Sequence, residues 1–284
     1  MRRLIIQRLL ALVPILFGIT FLSFALMHLA GGDAVLARVD ASGVQLSAEA
    51  LAAERARLGL DKPFFMQYLI WLEGFLRGDL GVSYVSGEDV FATFLSKLPA
   101  TLLLAAMSML LTLVISIPLG ILAAVRQNRA TDFIIRAASF VGNSLPNFFV
   151  ALVLMMLFSI HIPLFPVIAE GTSLASAVLP TLTLAIAMSS RYLRQVRAAL
   201  STIVTLLALS CGSLLGGTAV VETIFMWDGV GKLAVDAVSM RDYPIIQAYV
   251  VWMALIYVLI NLLTDLLQPI IDPRLREGGA GDER

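Results

Sequence analysis

Between Leu9 and Leu29 the chain runs 21 residues without a charged side chain. At about 1.5 Å per residue, that is enough helix to cross the hydrocarbon of a bilayer. A secretory leader has a shorter apolar core, about 7–15 residues, followed by a small-x-small cleavage site. This run is therefore expected to stay in the protein as helix one. Further apolar runs span Leu98 to Ala124, Ala137 to Ile160, Ser173 to Ser190, Thr202 to Glu222 and Tyr243 to Leu267. Lipid offers no hydrogen bonds to an open backbone, so a spanning segment of this kind closes its own as a helix. Composition agrees: 14% of residues are charged and mean hydropathy is +0.91, where a soluble domain carries about 25% charged residues. The expectation is an all-α integral membrane protein of six transmembrane helices.

The longest polar interval, residues 31–97, separates helices one and two. It reads as an insert, not an enzyme domain, because it shows neither a repeat nor a core-sized apolar pattern. Within it Ser47 is placed to cap a short helix, since its hydroxyl can accept from the free amides that follow. Phe64 to Phe75 is aromatic and amphipathic, suited to a membrane surface or the rim of a bundle, and Gly78-Asp79-Leu80-Gly81 ends it. Prolines at 118 and 146 mark an interruption of helix two and a kink in helix three. Twelve of the twenty Lys and Arg lie at the two termini and in the short loops after helices two and four, and 137–190 holds none. The positive-inside rule then places both termini in the cytoplasm and the 31–97 insert outside. The chain divides into 1–30, the insert 31–97, and a five-helix core with its tail, 98–284.

Ser210 to Tyr243 is the stretch on which function is expected to turn. Gly212 and Gly216 stand four apart, as do Ser213 and Gly217, so small residues share one helical face and a neighbouring backbone can come close. Polarity then rises abruptly at Glu222, Trp227, Asp228, Arg241 and Asp242, as in a helix leaving the membrane for an amphipathic excursion. Helix three opens with polar residues that include Asn143 and Ser144. Tyr257, Asn261 and Asp265 form a stripe on helix six, which reads either as a conduit wall or as an interfacial anchor with a helix–helix hydrogen bond. Arg191, Arg194 and Arg197 recur every third residue at the end of helix four. Chemistry is absent from these patterns. There is no Walker A, GxSxG or HExxH sequence, a lone Cys211 excludes an internal disulfide, and His28 and His161 leave little for a metal centre. No cofactor or enzymatic activity is expected. Equal numbers of basic and acidic residues give no excess for nucleic acid.

Several blocks in order resemble the inner-membrane permease subunits of ABC importers for dipeptides, oligopeptides and nickel. They are Arg2 to Asp33, Leu58 to Tyr68 running on to Gly81, Leu98-Pro-Ala-Thr101 through Gly120, Ser144 to Phe148, and Leu164-Phe-Pro166. The most specific is Leu215 to Phe225 with Gly229-Val-Gly231 and Arg241-Asp-Tyr-Pro244. Ala34 and Asp228 stand where the family commonly has proline. The resemblance implies the type I importer fold in the inner membrane, a second homologous permease, two cytoplasmic ATPases and an extracytoplasmic binding protein. It implies alternating access driven by ATP, with substrate passing along the subunit interface. Asn143, Ser144, Gly212, Ser213, Gly216, Gly217 and Asn261 would line the pathway, and Glu222, Trp227, Asp228, Arg241 and Asp242 would meet the binding protein. The family's cytoplasmic loop, which docks into the ATPase, is shortened here between Leu200 and Ser201. Arg191, Arg194 and Arg197 would be its remnant. Two other readings stay open: a self-contained ion-coupled carrier or channel, and a membrane scaffold inactive in transport.

Overall fold

The computed structural model describes residues 2–29, 47–57, 60–169, 171–198, 214 and 217–271. In chain order its helices are α1 (Arg2–Leu29), α2 (Ala48–Arg57), α3 (Phe64–Arg77), α4 (Val90–Val125), α5 (Ala130–Ser144), α6 (Asn147–Met155), α7 (Leu174–Ala198), α8 (Val230–Met240) and α9 (Tyr243–Ile271). A π-helical turn, Met156–His161, extends α6, and residues 217–224 are helical. Among the described residues the extended pairing is a single bridge between Val82 and Asp89. Among the described residues three helices are long and apolar enough to cross a membrane: Val90–Val125, Leu174–Val196 and Tyr243–Thr264. The bent pair α5 and α6 makes a fourth if taken as one span, and Val13–Leu29 is a shorter apolar helix.

α4 begins eight residues before the apolar run because Asp89 caps it. The Asp89 carboxylate accepts the Ala92 amide at 2.7 Å, satisfying one of the amides a helix start leaves open. Pro99 and Pro118 both lie inside this one helix, so the expected interruption at Pro118 does not end it. Spanning helices tolerate proline where neighbouring groups satisfy the freed carbonyls. At Pro146 the outcome is larger than a kink. Leu145 turns extended, as a residue before proline is biased to do, and α5 and α6 meet at 100°.

Chain contacts form two compact units. One comprises Met1–Ile5, Pro99–Lys232 and Tyr257–Arg284, the other Ile6–Leu98 and Leu233–Ile256. In the first, α7 is the enclosed helix: 56% of its apolar window is buried, against 22% for α4. Glycines let its neighbours close in. A Cβ on Gly120 would lie 2.6 Å from Val196 Cγ1, and one on Gly142 would collide with the Ser190 hydroxyl. Such close approach is how helices associate when lipid removes the hydrophobic drive.

In the second unit α3 lies on α1. Phe17, Phe21 and Phe24 meet Tyr68 edge-on at 5.3–5.8 Å, and the Tyr68 and Thr20 hydroxyls bond at 2.9 Å. Met66 and Leu69 of α3 are exposed, and Phe65, stacked on Phe21 at 6.2 Å, is exposed at the edge of the contact. Gly78, left-handed at φ 82°, closes α3 with bonds back to Phe75 and from Asp79 to Gly74, a Schellman-type stop.

The Arg241-Asp242-Tyr243-Pro244 block is a joint in this unit. Arg241 turns left-handed at φ 57° to end α8. Asp242 is buried; its carboxylate accepts the Ser83 hydroxyl and the Tyr84 amide, the latter at 3.1 Å. Pro244 falls in the first turn of α9, where a missing amide is harmless. Asp242→Ala should lower stability by about 2–3 kcal/mol, since the Ser83 hydroxyl proton and the Tyr84 amide both lose their acceptor. Thermal denaturation of the detergent-solubilised protein reads this, and an unchanged midpoint would remove Asp242 from the joint.

Candidate functional site

The polar switch after Val221 folds into a compact turn in the first unit. The helical segment 217–224 ends as Met226 goes left-handed at φ 55° and the Trp227 amide bonds to Glu222 O at 2.8 Å. The chain reverses and starts α8 at Val230. A helix start presents amides without partners, and here two side chains from elsewhere supply them. Thr101 Oγ1 accepts the Val230 amide at 2.9 Å, and Glu222 Oε2 accepts the Lys232 amide at 2.9 Å. Thr101 in turn donates to Glu222 Oε1 at 2.7 Å. The Gly231 amide and the Thr218 hydroxyl complete the carboxylate's set of donors. Trp227, fully buried, donates its indole N–H to Ala100 O at 3.0 Å. Glu222 is also fully buried, so the carboxylate acts as an internal cap on α8, with the sign the helix dipole favours.

This packing explains the two glycines of Gly229-Val-Gly231. A Cβ on Gly229 would overlap Thr101 Oγ1 and lie 2.5 Å from Glu222 Oε2. One on Gly231 would lie 2.7 Å from Ala219 Cα and 2.8 Å from Glu222 Oε2. Leu98-Pro-Ala-Thr101 and Glu222 to Gly231, far apart in the chain, are two halves of one contact. Thr101 received no role from sequence reasoning; the signal that points to it is the pair of glycines, which mark a backbone held close to something.

Of the residues expected at a binding-protein surface, Glu222, Trp227 and Asp242 are buried, while Asp228 and Arg241 are exposed. Of the pathway residues, Gly212, Ser213 and Gly216 lie outside the described residues. Gly217 is half-buried, and a Cβ there would stand 4.0 Å from Asn147 Nδ2. Asn261 is half-buried on α9, and the side chain of Asp265 is outside the described set. Asn143 and Ser144 are exposed at the end of α5, where Ser144 bonds to Phe140 O at 2.8 Å. Asn143 and Arg194 line the same cavity, about 550 Å³, bounded by the ends of α4 and α7 and by α5. Arg191 is exposed, and the Arg197 side chain lies outside the description. Among the described residues no group of three His, Cys, Asp or Glu is placed to hold a metal.

Comparison with known proteins adds independent findings. The family model "Binding-protein-dependent transport system inner membrane component" matches 116–199 and 194–277, and the N-terminal model of the same membrane components matches 1–105. The oligopeptide transport system permease protein AppB of Bacillus subtilis is 36% identical, over 95% of this chain and 98% of its own. The glutathione transport system permease protein GsiC of Escherichia coli O6:H1 is 34% identical, over 96% and 98%. The dipeptide transport system permease protein DppB of Escherichia coli K12 is 32% identical, over 97% and 99%. The alignment with AppB runs over 313 residues although this chain has 284, so that relative carries tens of residues without counterpart here.

Proposed function

The chain belongs to the family of binding-protein-dependent transport system inner membrane components, and from this we propose that it forms half of the passage for short peptides in an ABC importer. It is a multi-pass membrane permease and not an enzyme. The observation that carries the reading is a likeness to peptide permeases that extends over at least 95% of the chain. The relatives' names favour peptides or peptide-like thiols over nickel as cargo. In this reading both termini are cytoplasmic, a second permease completes the pathway, and Asn143, Ser144, Gly217 and Asn261, with Gly212, Ser213 and Gly216, belong to its wall. The 31–97 insert and the 222–242 turn each offer residues to a binding protein. Asp228 and Arg241 make outward contacts, and Glu222, Trp227 and Asp242 support them from within.

A specific observation favours a second element of this reading, loss of coupling to the ATPases. The family match breaks in two at 194–199, beside the arginines at the end of α7, and the relatives are longer. Co-purification with a second permease, two ATPases and a binding protein, followed by ATP hydrolysis in nanodiscs, tests both. The expected result is capture of the second permease with no stimulation by peptide-loaded binding protein. Grafting the relatives' intervening segment between Leu200 and Ser201 should restore stimulation. Full stimulation without the graft would overturn the uncoupling, and failure to capture any second permease would overturn the permease assignment.

A further inference from the structure

The cavity beside Arg194 meets the proposed pathway wall at Asn143 and otherwise runs along residues given no role so far. It sits where two apolar spans finish: Ala123 comes from the last turn of α4, and Leu193 with Arg194 from the last turns of α7. The remaining wall is α5, which meets α6 at 100° and so does not continue its line. α5 is two-faced. Asp132, Ser139 and Gly142 are buried, while Phe133, Ile134, Phe140 and Val141 are each more than half exposed. An exposed apolar face beside arginines at the end of a span suits the level of lipid headgroups.

The lining is divided in the same way. Phe133, Phe140 and Leu193 give an apolar floor, and Arg136, Arg194, Ser139 and Asn143 give cations and hydrogen-bonding groups. Arg136 is held 3.4 Å from Asp132. Arg194 is exposed and makes no hydrogen bond or ion pair among the described residues. Arg126, Arg129 and Arg191 add exposed positive charge at the same helix ends. We propose that this cavity is a binding site for an anionic phospholipid, its phosphate on Arg194 and Arg136 and an acyl chain along Phe133 and Phe140. Basic pockets between spanning helices on the cytoplasmic side take such headgroups, and the volume lies within the usual range of ligand sites, about 300–1,000 Å³. The leaflet rests on the orientation proposed above; the charge match does not.

Native mass spectrometry of the protein in mixed phosphatidylglycerol and phosphatidylethanolamine nanodiscs tests it. One phosphatidylglycerol should stay bound preferentially, with affinity falling roughly fivefold in Arg194→Gln, the effect of one arginine near a headgroup. Arg194→Lys should restore most of it, and Arg191→Gln, outside the cavity, should change little. Phe140→Ala, at an exposed position, should weaken retention while leaving the preference for anionic lipid. Equal retention of both lipids, loss in Arg191→Gln equal to that in Arg194→Gln, or photocrosslinks from position 140 to a partner protein in place of lipid would each overturn the proposal. A cysteine at 129 labelled from outside would move the orientation without touching the lipid result.

Discussion

Glu222→Ala is expected to lower folded stability by about 4 kcal/mol, a large part of the ordinary margin of about 5–15 kcal/mol. The carboxylate has four donors directed at it: two hydroxyls, from Thr101 and Thr218, and two amides, from Gly231 and Lys232. Alanine leaves them without their acceptor, and each unmatched buried donor costs about 1–3 kcal/mol. Glu222→Gln keeps one acceptor oxygen but turns an N–H2 toward the remaining donors, so its loss should be about half as large. Thermal stability followed by size-exclusion chromatography should rank wild type above Gln above Ala. An alanine variant as stable as wild type would mean that something other than this carboxylate holds the start of α8.

Gly231→Ala adds one methyl and should cost about 3 kcal/mol. The obstruction is backbone, Ala219 Cα at 2.7 Å and Ala219 N at 3.0 Å, and backbone in a helix does not step aside as a flexible side chain does. Gly217→Ala is the internal control. Its new Cβ would meet Asn147 Nδ2 at 4.0 Å, an ordinary contact, so stability should stay within about 0.5 kcal/mol of wild type. If the two substitutions behave alike, the cost belongs to glycine chemistry in general and the close approach at 231 is not what matters.

The spans in α4, α7 and α9 are legible because lipid enforces a simple rule, that a long uncharged run must be helical, whereas most of the expected span 202–222 lies outside the described residues. The starts and turns were harder. In the sequence helix two begins at Leu98, because Val90–Lys97 is too polar to register as a span and a single cap at Asp89 marks the earlier start. Pro146 announced a break without its angle, since a proline forbids the straight continuation but neighbours choose the new direction. Within the candidate site the glycines and Glu222 stood out, and yet Glu222 was assigned to an outer surface when the fold buries it. Sequence displays a charged residue beside an apolar helix identically whether it faces water or caps a distant amide. Which partner it finds depends on a threonine 121 positions earlier, and no local pattern carries that pairing.

That separation also sets a schedule for biogenesis. Ribosomes add about 5–20 residues per second, so Thr101 emerges roughly ten seconds before the carboxylate that will receive its hydroxyl proton. For that interval the Thr101 hydroxyl is in the chain without the carboxylate it donates to in the finished fold. The contact between α4 and the turn at 225–231 therefore closes late, after most of the chain has been made.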